Sequence, residues 1–231
     1  MNFFKDIFSN KKTSSIAICP HCKETLNEMP SRKKKCPFCK KDIYVRTSPT
    51  TKTKILATEV EAKKIDTEWE KIREKNRWLN ILQSYGITEK DYEKYENELN
   101  KKFGVKPNSR DIIWRIFNEL LFVKHNELQT LKMLYYEMAI FLNEEGKDFF
   151  KILQQSAIME LKYIQKQGFI KKIKIITTPN SCEACKKLDA KVLTLDEALK
   201  ELPIPCKECS YIMDNGKRGF CRCLYNAEIE I

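Results

Sequence analysis

Glycine occupies only 6 of the 231 positions and histidine only 2, and both shortages narrow the available chemistry. A chain this poor in glycine is ill-suited to a loop whose backbone amides cradle phosphates, and no glycine-rich phosphate motif is present. His21 and His125 are too few to staff a broad choice of general bases, and no paired carboxylates stand in a context suited to acid–base work. No apolar run reaches the roughly 18 residues that a membrane-spanning helix needs. The opening Met1-Asn2-Phe3-Phe4 runs into charge instead of a secretory core and cleavage site. These absences point to an intracellular, cytoplasmic chain, and to a binding protein over an enzyme.

What the chain does have is charge, apolar periodicity and sulfur. Hydrophobic residues make up 42% and charged residues 32%, a balance that suits a folded, helix-rich protein. The formal net charge is +11, of which residues 1–53 carry +8, residues 54–170 carry +1 and residues 171–231 carry +2. A zinc ion held by four thiolates is a unit of charge −2. One such site lowers the first segment to +6 and two lower the whole chain to +7. The basic excess survives, and it makes nucleic acid or an acidic protein a candidate partner.

The 10 cysteines fall in the tight groups CPHC, CPFC, CEAC, CKEC and CRC, separated by lysine-rich or helical sequence. Such grouping reads as metal ligation in a reducing compartment more readily than as a disulfide framework. Cys19, Cys22, Cys36 and Cys39 form two CxxC knuckles, which together supply the tetrahedral thiolate cage that zinc accepts. So small a ribbon cannot bury enough apolar surface alone, so metal binding carries much of its folding free energy. With all four positions filled by protein, no open site remains for activating water. His21 lies inside the first knuckle, but Cys22 completes the spacing without it.

Arg32, Lys33, Lys34 and Lys35 precede the second knuckle and are the expected polyanion contacts. Tyr44 and Phe38 lie beside them and are expected to pack against the minimal ribbon core, with base stacking as the alternative.

Residues 47–53 are polar and turn-prone and read as a linker. Beyond it, Ile55, Leu56, Val60, Ile65, Trp69, Ile72, Leu79 and Leu82 form an incomplete apolar stripe over residues 54–83, suited to one long helix or two shorter ones. Thr88 followed by Asp91 marks a helix start, with Tyr92, Tyr95, Leu99 and Phe103 on its buried side and Gly104 at its end. Ile112, Ile113, Ile116, Phe117, Leu120 and Leu121 predict a further helix. Two more are expected over 126–143 and 147–167, with Met133, Leu134, Met138, Phe141 and Leu142 as core. Residues 169–178 switch to a strand-like pattern.

The fold class is therefore α+β: two small cysteine-rich zinc modules flanking a mainly α-helical domain. The expected boundaries are a short amphipathic segment over 1–15, the ribbon over 16–46, the linker over 47–53, the helical domain over 54–168 and a β-rich zinc module over 169–231.

The last module holds Cys182, Cys185, Cys206, Cys209, Cys221 and Cys223, more than one tetrahedral site requires. By spacing alone, two CxxC units make Cys182, Cys185, Cys206 and Cys209 one set. The run from Cys182 through Leu188-Asp189-Ala190-Lys191, Asp196-Glu197-Ala198 and Leu202-Pro203 to Cys221-Arg222-Cys223 resembles the C-terminal segment of the phage Mu F-like head morphogenesis (minor capsid) family. That resemblance implies a zinc-bound module with Cys182, Cys185, Cys221 and Cys223 as ligands, and a phage-related role with phage or host protein partners. Ala190 stands where the family has glycine, the insertion carrying Cys206 and Cys209 is extra, and the N-terminal ribbon is not part of the family pattern. The likeness covers about 50 of the 231 residues.

Two structural zinc ions are expected in all. A thiol-redox enzyme is the catalytic alternative, because a CxxC beside lysines can lower a thiolate pKa. Such enzymes need one accessible pair at a helix start, however, whereas this chain distributes its cysteines among cages.

Overall fold

Two pentapeptides, Cys19-Pro20-His21-Cys22-Lys23 and Cys36-Pro37-Phe38-Cys39-Lys40, fold alike. In each, the lysine takes a left-handed backbone conformation, with φ of 65° at Lys23 and 63° at Lys40. Its N–H donates to the first cysteine's carbonyl, Lys23 to Cys19 and Lys40 to Cys36, both at 3.0 Å. Its Nζ turns back to the proline carbonyl, Pro20 at 3.0 Å and Pro37 at 2.7 Å. Each knuckle thus satisfies its own backbone locally, as a unit with almost no core must.

These features come from a computed structural model that describes residues 16–212 and 219–228. The amphipathic segment expected over 1–15 lies outside those residues. The chain divides into two compact units, one ending at Ser84 and the other beginning at Tyr85.

In the first unit, β1 (Lys34–Lys35), β2 (Asp42–Thr47) and β3 (Lys54–Ala57) form an antiparallel sheet in the order β1-β2-β3. The stretch read as a linker is the turn of the β2–β3 hairpin, closed by Ser48 and Thr53 through a 2.8 Å backbone bond. α1 (Glu59–Gln83) follows, started by Thr58 in a reciprocal capping box with Glu61. Arg46 on β2 grips Asp66 of α1 with two hydrogen bonds of 2.8 and 3.0 Å. Trp69 Nε1 donates to the Thr47 carbonyl at 2.8 Å, so the helix is pinned to the hairpin at two points.

The second unit begins with α2 (Glu89–Phe103), capped by Thr88 with Asp91 and ended by Gly104 in a left-handed conformation. α3 (Ser109–Val123), α4 (Leu128–Glu144) and α5 (Phe150–Lys166) complete the helical part. Ile112, Ile113, Ile116, Phe117, Leu134, Met138 and Phe141 are buried as the periodicity predicts, and the Phe117 ring meets Phe141 edge-on at 5.9 Å. Two expected core residues stay outside: Phe103 is 62% exposed and Met133 43% exposed. Met133 instead lines a cleft of about 290 Å³ beside Lys132, Tyr136, Glu160 and Arg222.

β4 (Lys172–Ile176), α6 (Glu183–Lys186), β5 (Val192–Thr194), α7 (Leu195–Glu201) and β6 (Leu224–Glu228) form the last module, its antiparallel sheet ordered β5-β4-β6. Leu161 and Ile164 of α5 pack into one core with Ile173, Ile175, Leu193, Leu195 and Tyr225. The module is thereby built onto the last long helix. The architecture is α+β, with cysteine clusters near the two ends of a helical chain.

The turn between α6 and β5 contains Ala190 at φ 59°, a left-handed conformation that costs an L-residue on the order of 1–2 kcal/mol. Asp189 braces this turn by accepting from the Thr177 N–H and hydroxyl, both at 3.0 Å. Glycine removes the steric cost and adds unfolded-state entropy, leaving a net gain of about 0.5–1 kcal/mol for Ala190→Gly. Urea unfolding of the zinc-loaded protein measures that gain as a higher midpoint at unchanged slope.

Candidate metal centres

All four ribbon thiols converge: the sulfurs of Cys19, Cys22, Cys36 and Cys39 lie within 4.8 Å of one another. Across the two knuckles, Cys19 Sγ is 3.9 Å from Cys39 Sγ and Cys22 Sγ is 3.8 Å from Cys36 Sγ. A tetrahedron with zinc–sulfur bonds of about 2.3 Å has sulfur–sulfur edges of about 3.8 Å. The donor set and its spacing therefore fit a zinc ion. The knuckle turns place the sulfurs, and Ile43, Leu26 and Ala17 form the small apolar floor under them.

The tetrad distributes its protons unevenly. Burial works against the Cys36 thiolate, but the N–H groups of Cys39 and Phe38 outweigh it and draw the thiol down to about 6. Cys22 is pushed up to about 12: the Glu24 N–H favours its thiolate, but burial and the neighbouring thiols prevail. The backbone N–H groups thus favour the thiolate at Cys36, the form in which a cysteine binds a metal. His21 takes no part in the cage, because its Nε2 is held by the Asp42 carbonyl at 2.9 Å.

Around the cage, Arg32, Lys33, Lys34 and Lys35 are all exposed. They are not equivalent. Lys33 is engaged by Asp42 at 2.9 Å and lies 4.6 Å from the centre of the Tyr44 ring, which leaves Arg32, Lys34 and Lys35 as the more available cations. Tyr44 is half-buried between Lys33 and Arg46. Phe38, expected in the core, is 55% exposed on the second knuckle. It occupies the third position of that pentapeptide, between Pro37 and Cys39. The same position in the first knuckle is His21, which is half-buried and held by the Asp42 carbonyl.

Five of the six C-terminal cysteines form two groups that share a corner. Cys182, Cys185 and Cys209 lie mutually within 4.8 Å, as do Cys185, Cys221 and Cys223. Cys182 is 3.8 Å from Cys209 and Cys185 is 3.7 Å from Cys221, again the tetrahedral edge of a zinc–thiolate site, about 3.8 Å. Cys206 is buried but lies in neither group, and its Sγ is 3.6 Å from Glu208 Oε2. Each late pair, CKEC and CRC, therefore sends at least one sulfur to the CEAC turn.

Backbone amides support these sulfurs. Burial opposes ionisation of Cys182, but the N–H groups of Cys185 and Ser210 bring the thiol down to about 6, the Ser210 bond being 3.4 Å long. A hydrogen bond from Cys223 is the main force lowering Cys221 to about 5, while Cys223 and Cys185 are raised. Arg222, between the CRC sulfurs, turns outward over the Tyr211 ring at 4.4 Å.

Both clusters could hold metal ions, and no helix among the described residues is long and apolar enough to cross a membrane. Comparison with protein-family models, curated proteins and solved structures finds no match.

Proposed function

We propose that this chain is a zinc-stabilised, non-catalytic adaptor whose N-terminal ribbon contacts a single-stranded nucleic acid or similar polyanion. The observation that carries this reading is Phe38, an aromatic ring left in solvent on a knuckle flanked by the exposed Lys34, Lys35, Lys40 and Lys41. A small ribbon gains nothing in stability from an exposed phenylalanine. Beside a cationic backbone track, the same ring is a platform on which a base can stack. The ribbon cage offers four thiols, which supports a structural zinc ion there with its positions filled by protein.

Replacing Arg32, Lys34 and Lys35 with glutamine lowers the slope of log affinity against log salt by about 2, at roughly 0.7 for each lost single-strand phosphate contact. Lys33→Gln has a smaller effect because its charge already faces Asp42. Phe38→Ala weakens binding by about 1–3 kcal/mol per stacked base. Fluorescence anisotropy with a labelled single-stranded oligonucleotide across a salt series reads all three. No binding by the zinc-loaded protein at low salt removes this reading and leaves a protein-docking ribbon.

A second reading, as a phage-related head-assembly or protein-interaction component, draws support from the final module. There a CxxC-bearing turn, an LDxK-type loop, a capped helix and a CRC segment lie around one small sheet. Co-purification with head or portal components tests it.

A further inference from the structure

The geometry points to a dinuclear zinc–thiolate centre in the C-terminal module, with the Cys185 sulfur shared between two ions. This rests on the reading that the cysteine clusters hold zinc, and it raises the expected total from two ions to three.

Two sulfur triangles, Cys182–Cys185–Cys209 and Cys185–Cys221–Cys223, have Cys185 as their common corner. Each triangle is one face of a tetrahedral site. A single zinc takes four thiolates, so it leaves at least one of these five sulfurs as a bystander inside a tight cluster of thiols.

Two ions use them all. Cys221 lies 3.7 Å from Cys185, the length of a shared tetrahedral edge. With Cys185 and Cys221 as the bridging pair, Cys182 and Cys209 complete one ion and Cys223 supplies a third ligand to the other. Cys206 is the remaining buried cysteine of the same core, and its backbone N–H already hydrogen-bonds Cys221. It becomes the last ligand once its thiol leaves Glu208, and Cys221, which lies outside the Cys182–Cys185–Cys209 triangle, must close on that triangle to complete the first ion.

Two Zn²⁺ with six thiolates carry −2, the charge of one ion in an ordinary four-thiolate cage, so the second ion adds no net charge to the core. Each thiol releases its proton to solvent as it binds.

Native mass spectrometry of the full-length, zinc-loaded chain is expected to show three ions. The Cys22→Ser/Cys39→Ser variant, which lacks the ribbon site, retains two, and zinc X-ray absorption of that variant shows a metal–metal scattering contribution. Adding Cys185→Ser removes both remaining ions, because both depend on that sulfur. Adding Cys223→Ser instead removes one. A single ion in the Cys22→Ser/Cys39→Ser protein, without metal–metal scattering, overturns the shared sulfur and leaves the zinc reading intact. A reduced, folded wild-type chain that takes up no zinc overturns both. The scattering measurement needs no change within the C-terminal cluster, so misfolding of the Cys185→Ser protein does not decide the outcome.

Discussion

Chelation of the reduced protein is expected to unfold the ribbon while the helices α2 to α5 persist. The buried ribbon core consists of Ala17, Cys19, Leu26, Cys36 and Ile43, and two of those five belong to the cysteine tetrad. Without the ion, only three small or medium apolar side chains remain to oppose the chain entropy of more than twenty residues, at about 1–2 kcal/mol each. Structural zinc contributes roughly 10–16 kcal/mol to folding units of this kind at neutral pH, so its loss is not recoverable from packing. Amide NMR signals of the knuckles, β1 and β2 should collapse to unfolded positions on addition of a strong chelator and return with zinc. Far-UV circular dichroism should keep most of its helical signal. A ribbon that retains dispersed amide signals with all four thiols free would defeat this expectation.

The second large effect is expected from Leu161→Ala. Leu161 is completely buried on α5 and belongs to the core that also contains Ile173, Ile175, Leu193, Cys185 and Cys221. Truncation leaves a cavity between the helix and the sheet and costs about 2–5 kcal/mol, a large fraction of a domain's net stability. Cys185, Cys206 and Cys221 share this core, so the variant of the zinc-loaded protein should also lose zinc from the C-terminal cysteines more readily than from the ribbon. Urea denaturation followed with a thiol-reactive dye reads both. Unchanged unfolding and unchanged thiol reactivity would show that the module stands without α5.

Helix positions were largely legible because the cues are local. Thr88 with Asp91 starts α2, Gly104 ends it, and the isoleucines of α3 mark its buried stripe. The pairing of β2 with β3 was not legible, because β3 is short and the turn between them has the composition of a linker. The Thr58–Glu61 capping box separates β3 from α1, a boundary that the apolar stripe runs across. The ribbon's cysteines were readable from spacing alone, since CxxC geometry is set within four residues. The C-terminal grouping was not, because it depends on how a sheet and two loops bring Cys209 and Cys221 to Cys185 over separations of 24 and 36 residues. Phe38 shows the same limit: hydrophobicity predicts burial, but a knuckle this small has no interior in which to place the ring.

The clamp between the hairpin and α1 has a mechanical consequence. With Asp66 and Trp69 fastened to β2, the ribbon cannot turn without carrying the helix with it. The 25 residues of α1 make a lever of about 37 Å at 1.5 Å per residue. A tilt of roughly 10° at the knuckles therefore swings the helix's far end by about 6 Å on that length. A ligand seated on the knuckles would therefore carry α1 with it as one body.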